Sequence, residues 1–337
     1  LNTLYAAAAS SGNGVSGLGS EAVTVTDSSV SASDLNTLNG NTSYNITVNA
    51  TTISGSLSAV STLYGNKAAD SQAATNGFTG LGGEAITLSD TGSIAANTLL
   101  TVAQANSSGT VDASNAGTIT GTAQQITDAY ADSTITEAGN VALTVNSGTA
   151  SLTQARSLDG LTTGVVTATI ADTVVSDLLG SAPLLDANSN NAFTITIGTD
   201  DASVSAANLN SLDALTTVAI NAGNVTTITS STLDSINTLY ASSGFSGLGD
   251  QAITASDTGS IAASTITTVA TANSSGTLSV SAAATITGTA AEIIAAFADS
   301  TVTEASNVAL TVNSGTATLA QARSLDGLTT GVVTATI

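Results

Sequence analysis

A short segment in which apolar residues alternate with small polar residues recurs from one end of the chain to the other. The stretch VALTVN at 141–146 is repeated without change at 308–313. A period of two puts successive side chains on opposite faces, which is typical of a strand with one buried face. Variants of this segment occupy 22–27, 45–50, 84–90, 109–114, 164–170, 193–199, 217–222, 251–257, 276–281 and 331–337. The sequence therefore predicts many short strands.

The chain also repeats over a longer period of 167 residues. Segments 133–170 and 300–337 agree at 34 of 38 positions, and the similarity makes near-duplicates of 78–170 and 245–337. Strands follow one another in double steps of about 57 residues, and repeats of this kind indicate a repetitive array. We predict one continuous array over 1–337, interrupted by an irregular loop at 180–192 that holds the single proline.

Segments with helical spacing separate the strands. Ile126 and Tyr130 lie four residues apart, as do Ile293 and Phe297, and Thr122 stands where an N-cap residue is expected. Each segment is about ten residues long, which is too short for a stable isolated helix. The helices must therefore pack against the strands.

The fold predicted from this order is an α/β solenoid, a right-handed coil with one long parallel β-sheet and short helices in the crossovers. The alternative is a right-handed parallel β-helix in which the helical segments are turns. The aromatic residues at the ends of alternate helices are predicted to form a stacked column in the core rather than a ligand platform. They are Tyr5, Tyr64, Tyr130, Tyr240 and Phe297.

Composition restricts the partners. The chain of 337 residues has 3 basic and 24 acidic side chains, a net charge of −21. This charge argues against nucleic acid and anionic membranes and is compatible with divalent cations. With 42% hydrophobic residues the chain is not a disordered acidic tail. No apolar run approaches the 18 residues of a membrane span, so no membrane insertion is predicted.

Catalysis is not predicted. The chain has no Cys and no His, and its only basic side chains are Lys67, Arg156 and Arg323. These residues cannot build the usual nucleophilic triads. Arg156 and Arg323 are repeat equivalents beside Asp159 and Asp326, which indicates ion pairs on a helix surface.

Acidic or amide side chains follow many of the strands. In a sharp turn such side chains can bond to nearby backbone N–H groups, and stacked copies would form a ladder. Carboxylate oxygens also suit Ca²⁺, so calcium is the one candidate cofactor, although no known calcium-loop motif is present. The candidate ligands are Asp27, Asp90, Asp112, Asp257, Asp200 and Asp201.

Threonines on the outward face form a second pattern. Thr167 and Thr169, repeated as Thr334 and Thr336, read T-x-T. Such arrays resemble those of ice-binding proteins with flat β-solenoids. Alanines interrupt the pattern at several strands, and Thr is favoured on exposed strands in any case. Ice binding is therefore a less favoured alternative.

Four motifs carry a resemblance to a known family. TVDAS at 110–114, TITGTA at 118–123, GLGGEAITLSD at 80–90 and SLDGLTTG at 157–164 resemble the long β-strand-repeat surface proteins of bacteria, cyanobacteria in particular. The resemblance covers essentially the whole chain and supplies no catalytic residue. It implies a secreted protein that is extracellular or bound to the cell surface.

These patterns predict a structural segment that acts as a stiff rod, stalk or sheath, with no enzymatic activity. The chain begins and ends within a repeat, so we expect it to be part of a longer protein, with flanking repeats or other copies stacked end to end. The alternative is an adhesin-type module that binds a glycan or another cell, for which 66–78 and 193–201 are the most divergent stretches.

Overall fold

The computed structural model of the chain describes residues 1–9, 17–67, 76–180 and 190–337. These residues form two compact units, Leu1–Thr169 and Ile170–Ile337. The predicted irregular loop lies outside the described residues at 181–189, as does part of the divergent stretch at 68–75. Each unit combines short helices with short parallel strands.

The first unit alternates one or more strands with a helix. Its helices are α1 (Asn2–Ala9), α2 (Ala32–Asn41), α3 (Leu57–Gly65), α4 (Ala96–Ala105), α5 (Ala123–Ala131) and α6 (Leu152–Asp159). Its strands are β1 (Val23–Val25), β2 (Ser29–Ser31), β3 (Ile46–Val48), β4 (Thr52–Gly55), β5 (Phe78–Thr79), β6 (Ala85–Leu88), β7 (Ser93–Ala95), β8 (Thr110–Asp112), β9 (Thr118–Gly121), β10 (Ile135–Thr136), β11 (Ala142–Val145) and β12 (Val166–Thr169).

The second unit has the same alternation. Its helices are α7 (Val175–Leu178), α8 (Ala206–Asp213), α9 (Leu233–Ala241), α10 (Ala263–Ala272), α11 (Ala290–Ala298) and α12 (Leu319–Asp326), with a 3₁₀ turn at Thr199–Asp201. Its strands are β13 (Ala192–Thr194), β14 (Ser203–Ser205), β15 (Ile220–Asn221), β16 (Thr227–Ser231), β17 (Phe245–Ser246), β18 (Ala252–Ala255), β19 (Ser260–Ala262), β20 (Thr277–Ser279), β21 (Thr285–Gly288), β22 (Val302–Thr303), β23 (Ala309–Val312) and β24 (Val333–Thr334).

The strands of each unit pair in parallel and form several sheets. In the first unit the orders are β1-β3-β5, β2-β4-β6-β8-β10 and β7-β9-β11-β12. In the second unit they are β14-β16-β18-β20-β22, β15-β17 and β19-β21-β23-β24. Neighbours in a sheet come from successive repeats, and consecutive helices within each unit pack side by side.

The pairing register places equivalent apolar residues of successive strands beside one another. In one sheet of the first unit Ile53 pairs with Ile86, Ile86 with Val111, and Val111 with Ile135. All four side chains are buried, while the residues beside them in each strand are mostly exposed. The alternating pattern therefore fixes the register, because a slip of one residue would turn each apolar row to solvent.

The helices begin where the sequence predicts. The Thr122 hydroxyl accepts a hydrogen bond from the Gln125 N–H, and the Gln125 side chain accepts one from the Thr122 N–H. Thr289 and Glu292 form the same capping box at α11. Each box satisfies two backbone N–H groups at a helix start, which helps a helix of nine residues to form.

The long repeat in the sequence is also a structural repeat. α4, α5 and α6 start at 96, 123 and 152, and α10, α11 and α12 start at 263, 290 and 319. Each start differs by 167, as in 263 − 96. The two halves therefore offer matched sites that differ at a small number of residues.

The α/β class, the parallel pairing and the short helices agree with the sequence prediction. The expectation of one long sheet is wrong, because the strands, of two to five residues each, belong to several separate parallel sheets. The β-helix alternative, in which the helical segments are turns, is also wrong, since most of them are helices of eight to ten residues.

Candidate functional site

The most elaborate polar cluster in the first unit is a buried corner around Tyr64. The Tyr64 hydroxyl lies 2.6 Å from Glu84 Oε2 and 3.0 Å from Asn106 Oδ1. Asn106 Oδ1 also accepts the Glu84 N–H at 3.1 Å, and its Nδ2 donates to the Glu84 carbonyl at 2.8 Å. Glu84 is 3% exposed and Asn106 is fully buried. We call these three residues the Tyr64 corner.

Glycines shape the turn that holds the Glu84 carboxylate. The N–H groups of Gly82 and Gly83 donate to Glu84 Oε2 at 2.9 and 3.0 Å. Gly80 and Gly82 have φ of +85° and +137°, where side chains are strained. A β-carbon on Gly109 would fall on the Glu84 carbonyl oxygen. The motif G-L-G-x-E therefore folds its own backbone donors around a carboxylate.

The second unit repeats this arrangement with two substitutions, Gln251 for Glu84 and Asp250 for Gly83. Gln251 stands where the first unit has Glu84, and its Oε1 lies 2.9 Å from the Tyr240 hydroxyl. The Asn273 amide bonds to the Gln251 backbone as Asn106 does to Glu84. The Gln251 Nε2 donates to Val225 O at 3.1 Å, to Gly247 O at 3.3 Å and to Asp250 Oδ1 at 2.9 Å. We call Tyr240, Gln251 and Asn273 the Tyr240 corner.

A simpler copy lies near the start of the chain. The Tyr5 hydroxyl is 3.5 Å from Glu21 Oε2, which also accepts the Gly19 N–H at 2.7 Å. These backbone donors lower the pKa of Glu21. Thr42 replaces the asparagine, and its hydroxyl donates to the Glu21 carbonyl at 3.2 Å. The carboxylate, its glycine turn and the tyrosine therefore recur as a set.

At Tyr130, the residue that follows Tyr64 in the predicted aromatic column, the hydrogen bonds between tyrosine and carboxylate are not formed. The Tyr130 hydroxyl and Glu137 Oε1 are buried atoms without a hydrogen-bond partner. Burial, with Asp132 nearby, raises the pKa of Glu137 to about 7. The equivalent pair in the second unit is Phe297 and Glu304, and burial raises the pKa of Glu304 as well. The hydroxyl is dispensable here, since its duplicate lacks it.

The corners join neighbouring repeats. Tyr64 lies in the last turn of α3, Glu84 precedes β6, and Asn106 follows α4. Burial and the Glu84 carboxylate raise the pKa of Tyr64, so the phenol stays neutral and donates its proton to a hydrogen bond. The side chains of all three residues bond to atoms of neighbouring repeats, so the corner ties these repeats together.

Of the five aromatic residues predicted to form a stacked core column, Tyr130, Tyr240 and Phe297 are only half-buried. Tyr5 and Tyr64 are buried as expected, but their hydroxyl groups bond to carboxylates that the sequence analysis did not single out. The recurrence of the motif G-L-G-x-E/Q in the sequence could have identified these carboxylate positions. It occurs at 17–21, 80–84 and 247–251.

Three of the predicted calcium ligands accept backbone N–H groups at helix starts. Asp90 Oδ2 accepts the N–H of Leu57, the first residue of α3, at 2.7 Å. Asp257 Oδ2 accepts the N–H of Leu233 at the start of α9, also at 2.7 Å. Asp201 does the same at α7. Each carboxylate belongs to a later repeat than its helix, so it ties two repeats together and meets the positive end of the helix dipole.

The other three candidates have different surroundings. Asp112 Oδ1 accepts the Ser114 N–H at 2.9 Å, and bonds to Ser114 lower the pKa of Asp112. Asp27 is exposed after β1, and Asp200 is exposed in the 3₁₀ turn. Within the described residues no three Asp, Glu, His or Cys side chains come together as metal ligands. The calcium site stays a prediction.

The basic residues and the threonine face occupy surface positions. Lys67 Nζ donates to the Ala105 carbonyl at 3.3 Å, and Arg323 is exposed in the last turn of α12. On one sheet Thr47 pairs in register with Thr79, and their hydroxyl oxygens lie 3.2 Å apart. These hydroxyl groups bond within the row and stabilise adjacent strands.

Comparison with known proteins adds no relative. No family model matches the chain, no curated protein sequence matches it significantly, and no solved structure matches its fold significantly. Among the helices of the described ranges, none has the length and apolar character needed to cross a bilayer.

Proposed function

We propose that the chain is a structural segment, an α/β solenoid whose work is to be a stiff rod, stalk or sheath. The observation that carries the proposal is the stacking of equivalent apolar residues. In the second unit Ile261 pairs with Ile286, Ile286 with Leu310, and Leu310 with Val333. Each repeat leaves an apolar edge that only another repeat covers, which is the construction principle of repeat proteins.

The polar contacts between repeats support the same role. The Tyr64 and Tyr240 corners and the carboxylates of Asp90 and Asp257 join one repeat to another. Their partners are protein groups, so a substrate is not needed to satisfy them. A scaffold uses such bonds to specify register and resist sliding.

The site of action that we propose is extracellular or at the cell surface. Its support is the resemblance of the repeat motifs to bacterial β-strand-repeat surface proteins, together with a cysteine-free chain of net charge −21. High net charge keeps a repetitive protein soluble and limits non-specific association.

An extension experiment tests the rod. A second copy of residues 171–337 is appended after Ile337, which is the duplicate of Ile170. A solenoid should lengthen by about 30 Å, from about six further repeats at about 4.8 Å each, with an unchanged cross-section. Small-angle X-ray scattering and electron microscopy measure both dimensions. A particle that grows equally in all directions would contradict the proposal.

The calcium and glycan alternatives are tested on the same material. Isothermal titration with CaCl₂ and a glycan array on the 337-residue chain measure binding directly. For the rod alone we expect neither to give saturable binding. A glycan ligand would instead support the adhesin alternative.

A further inference from the structure

A turn with the sequence D-S-T-x-T-E follows one helix in each unit. The first copy, 132–137, follows α5, and the second, 299–304, follows α11. In both copies one oxygen of the aspartate accepts the backbone N–H of the first threonine at 2.9 Å and its hydroxyl at 2.7 Å. We call these two segments the DSTxTE turns.

Each DSTxTE turn carries hydrogen bonds that join its repeat to the preceding one. The carbonyl groups of Thr134 and Thr136 accept the N–H groups of Val111 and Ala113, both at 2.8 Å. The two corresponding bonds of the second turn are both 2.9 Å long. These carbonyl groups lie between the aspartate and the glutamate of the turn. An opening of either turn would therefore loosen the contact between two repeats.

The glutamate that ends each turn has a buried oxygen atom without a donor. Glu137 Oε1 and Glu304 Oε1 are buried and have no hydrogen-bond partner among the described residues. A buried carboxylate needs donors, whereas the protonated acid carries no charge to be solvated. The second turn keeps this feature although the nearby aromatic residue changes from Tyr130 to Phe297. The carboxyl group is therefore the element that the two turns share.

The aspartate of each turn adds a charge of the same sign. Burial raises the pKa of Glu137 to about 7, and the charge of Asp132 contributes to the shift. Burial and then the charge of Asp299 raise the pKa of Glu304 in the same way. Hydrogen bonds from Thr301 lower the pKa of Asp299, so this aspartate is ionised at neutral pH. Both pairs disfavour a second negative charge in the turn.

The other charged side chains on the turn's own helix and on the elements packed against it are mostly acidic. The packed elements are α4, α6, β8 and β9 for the first turn and α10, α12, β20 and β21 for the second. On each side the acidic groups outnumber a single arginine, which favours a neutral glutamate. The groups are Asp112, Asp128, Arg156 and Asp159 for the first turn, and Glu292, Arg323 and Asp326 for the second.

We propose that the two DSTxTE turns are proton-operated joints between repeats, in which the glutamate is neutral while the turn is closed and ionises when the turn opens. At high pH a closed turn must hold an ionised Glu137 with a buried oxygen beside the charge of Asp132. Opening hydrates that oxygen and separates the charges. At low pH the proton removes this cost. The inference rests on the proposed structural function and gives the rod a regulation, two joints that loosen as pH rises.

The size of the effect follows from proton linkage. The pKa of Glu137 is about 7 in the closed turn and 4.5 for an ordinary glutamate, so the open turn loses its proton first as pH rises. Between pH 5 and pH 8 this difference shifts the equilibrium toward opening by about 70-fold at most. Glu137 is only half-buried, and solvent screening reduces the shift, so we expect about tenfold.

Carbon-13 NMR of the side-chain carboxyl groups tests the protonation directly, because the chain has only five glutamates. Glu137→Gln and Glu304→Gln assign the two resonances by their loss. We expect Glu137 of the wild-type chain to titrate at about pH 7 and Glu304 above the ordinary value. Asp132→Asn keeps an oxygen for Thr134 and should lower the midpoint of Glu137. A wild-type Glu137 that titrates at the ordinary value would overturn the inference.

Hydrogen–deuterium exchange between pH 5 and pH 8, corrected for intrinsic exchange rates, tests the opening. Opening at the amides of Val111 and Ala113 should increase about tenfold over this range. Glu137→Gln is neutral at every pH, so it should remove the increase at these amides and leave it at the duplicate positions, 278 and 280. Glu304→Gln should do the reverse. Wild-type opening that is independent of pH, or one substitution that acts on both turns, would contradict the proposal.

The second unit offers a matched control. Glu292→Gln reproduces the capping box that Gln125 forms in the first unit, so it removes a carboxylate of α11 without disturbing its cap. It should change the pH response of neither turn, and a response equal to that of Glu304→Gln would overturn the inference. The extension experiment measures length and does not depend on ionisation. The joints can therefore fail while the rod stands, and the rod can fail while both glutamates titrate as expected.

Discussion

The exchange of glutamate for glutamine between the two corners can be turned into a quantitative test. In Gln251→Glu the Nε2 donor becomes an oxygen that faces the carbonyls of Val225 and Gly247, at 3.1 and 3.3 Å in the wild type, and the Asp250 carboxylate. Each buried acceptor left without its donor costs about 1–3 kcal/mol. Of the two carbonyls only that of Val225 belongs to a buried residue, and Gly247 is exposed, so the expected loss is about 1–3 kcal/mol before any repulsion from Asp250 is added.

The sign of the pH dependence follows from the same geometry. The acceptors around position 251 favour the protonated acid, which raises its pKa in the folded state above its unfolded value. Such a carboxyl binds its proton more tightly when folded, so its stability contribution is largest at low pH and is lost as pH rises through the folded pKa. We expect Gln251→Glu to be most destabilising at pH 8 and to recover about half of the loss at pH 5, where a protonated acid can donate one bond.

Hydrogen–deuterium exchange resolved by peptide is the suitable assay, because the chain contains two units and local stability is the quantity in question. Protection should fall in peptides covering 245–280 and stay unchanged in those covering 78–113. Glu84→Gln is the matched variant in the first unit, where we expect a loss of only about 1 kcal/mol, since neutral bonds replace charged ones. The double variant Asp250→Gly with Gln251→Glu reproduces the Gly83–Glu84 pair and should recover part of the loss. Equal protection of Gln251→Glu and wild type at pH 8 would refute the reasoning.

Three further predictions follow from the other polar sites. Tyr64→Phe should cost about 1–3 kcal/mol in urea unfolding because it removes the hydroxyl that donates to the buried Glu84 carboxylate, whereas Tyr130→Phe should change stability by less than about 0.5 kcal/mol because its hydroxyl has no partner; equal losses would contradict this. Asp257→Ala should cost about 1 kcal/mol and reduce amide protection at the start of α9, while unchanged protection there would show that the carboxylate does not cap the helix. Glu137 has its folded pKa raised to about 7, so wild-type stability should fall as pH rises from about 4.5 to 7. Glu137→Gln should make that fall smaller in a series of thermal melts, while the raised pKa of Glu304 keeps the remainder, and parallel curves would contradict the prediction.

The strands and helices could be predicted from the sequence because each is encoded locally. The apolar–Thr–apolar alternation marks strands such as β11 and β23, and Thr122 and Thr289 mark the starts of α5 and α11. Parallel pairing followed from the order of strand and helix. The number of sheets could not be predicted from the sequence. It depends on where the chain bends between two short strands, and the period of the apolar residues does not show these bends.

The polar corners could not be predicted from residue type alone. Glu84 and Asn106 are charged or polar residues of kinds that are usually exposed. Their burial depends on donors from a glycine turn and from a tyrosine twenty residues upstream of Glu84. The carboxylates of Asp90 and Asp257 were open to two interpretations, since the residue types that cap a helix start also bind calcium. The capping contacts depend on a neighbouring helix whose position the sequence does not show.

Each repeat contacts only the repeats next to it, and this limits how far the loss of hydrogen bonds in one corner should affect the rest of the chain. The strands have two to five residues and most helices eight to ten, so no repeat is stable without the next. A corner nevertheless contacts only the repeats on either side of it. Loss of the Gln251 bonds should therefore loosen the repeats that meet at Tyr240 and Asn273 and leave the Tyr64 corner protected. The duplicate then serves as an internal reference in the same molecule, and loss of protection at both corners together would show that stability is shared along the chain rather than passed between neighbours.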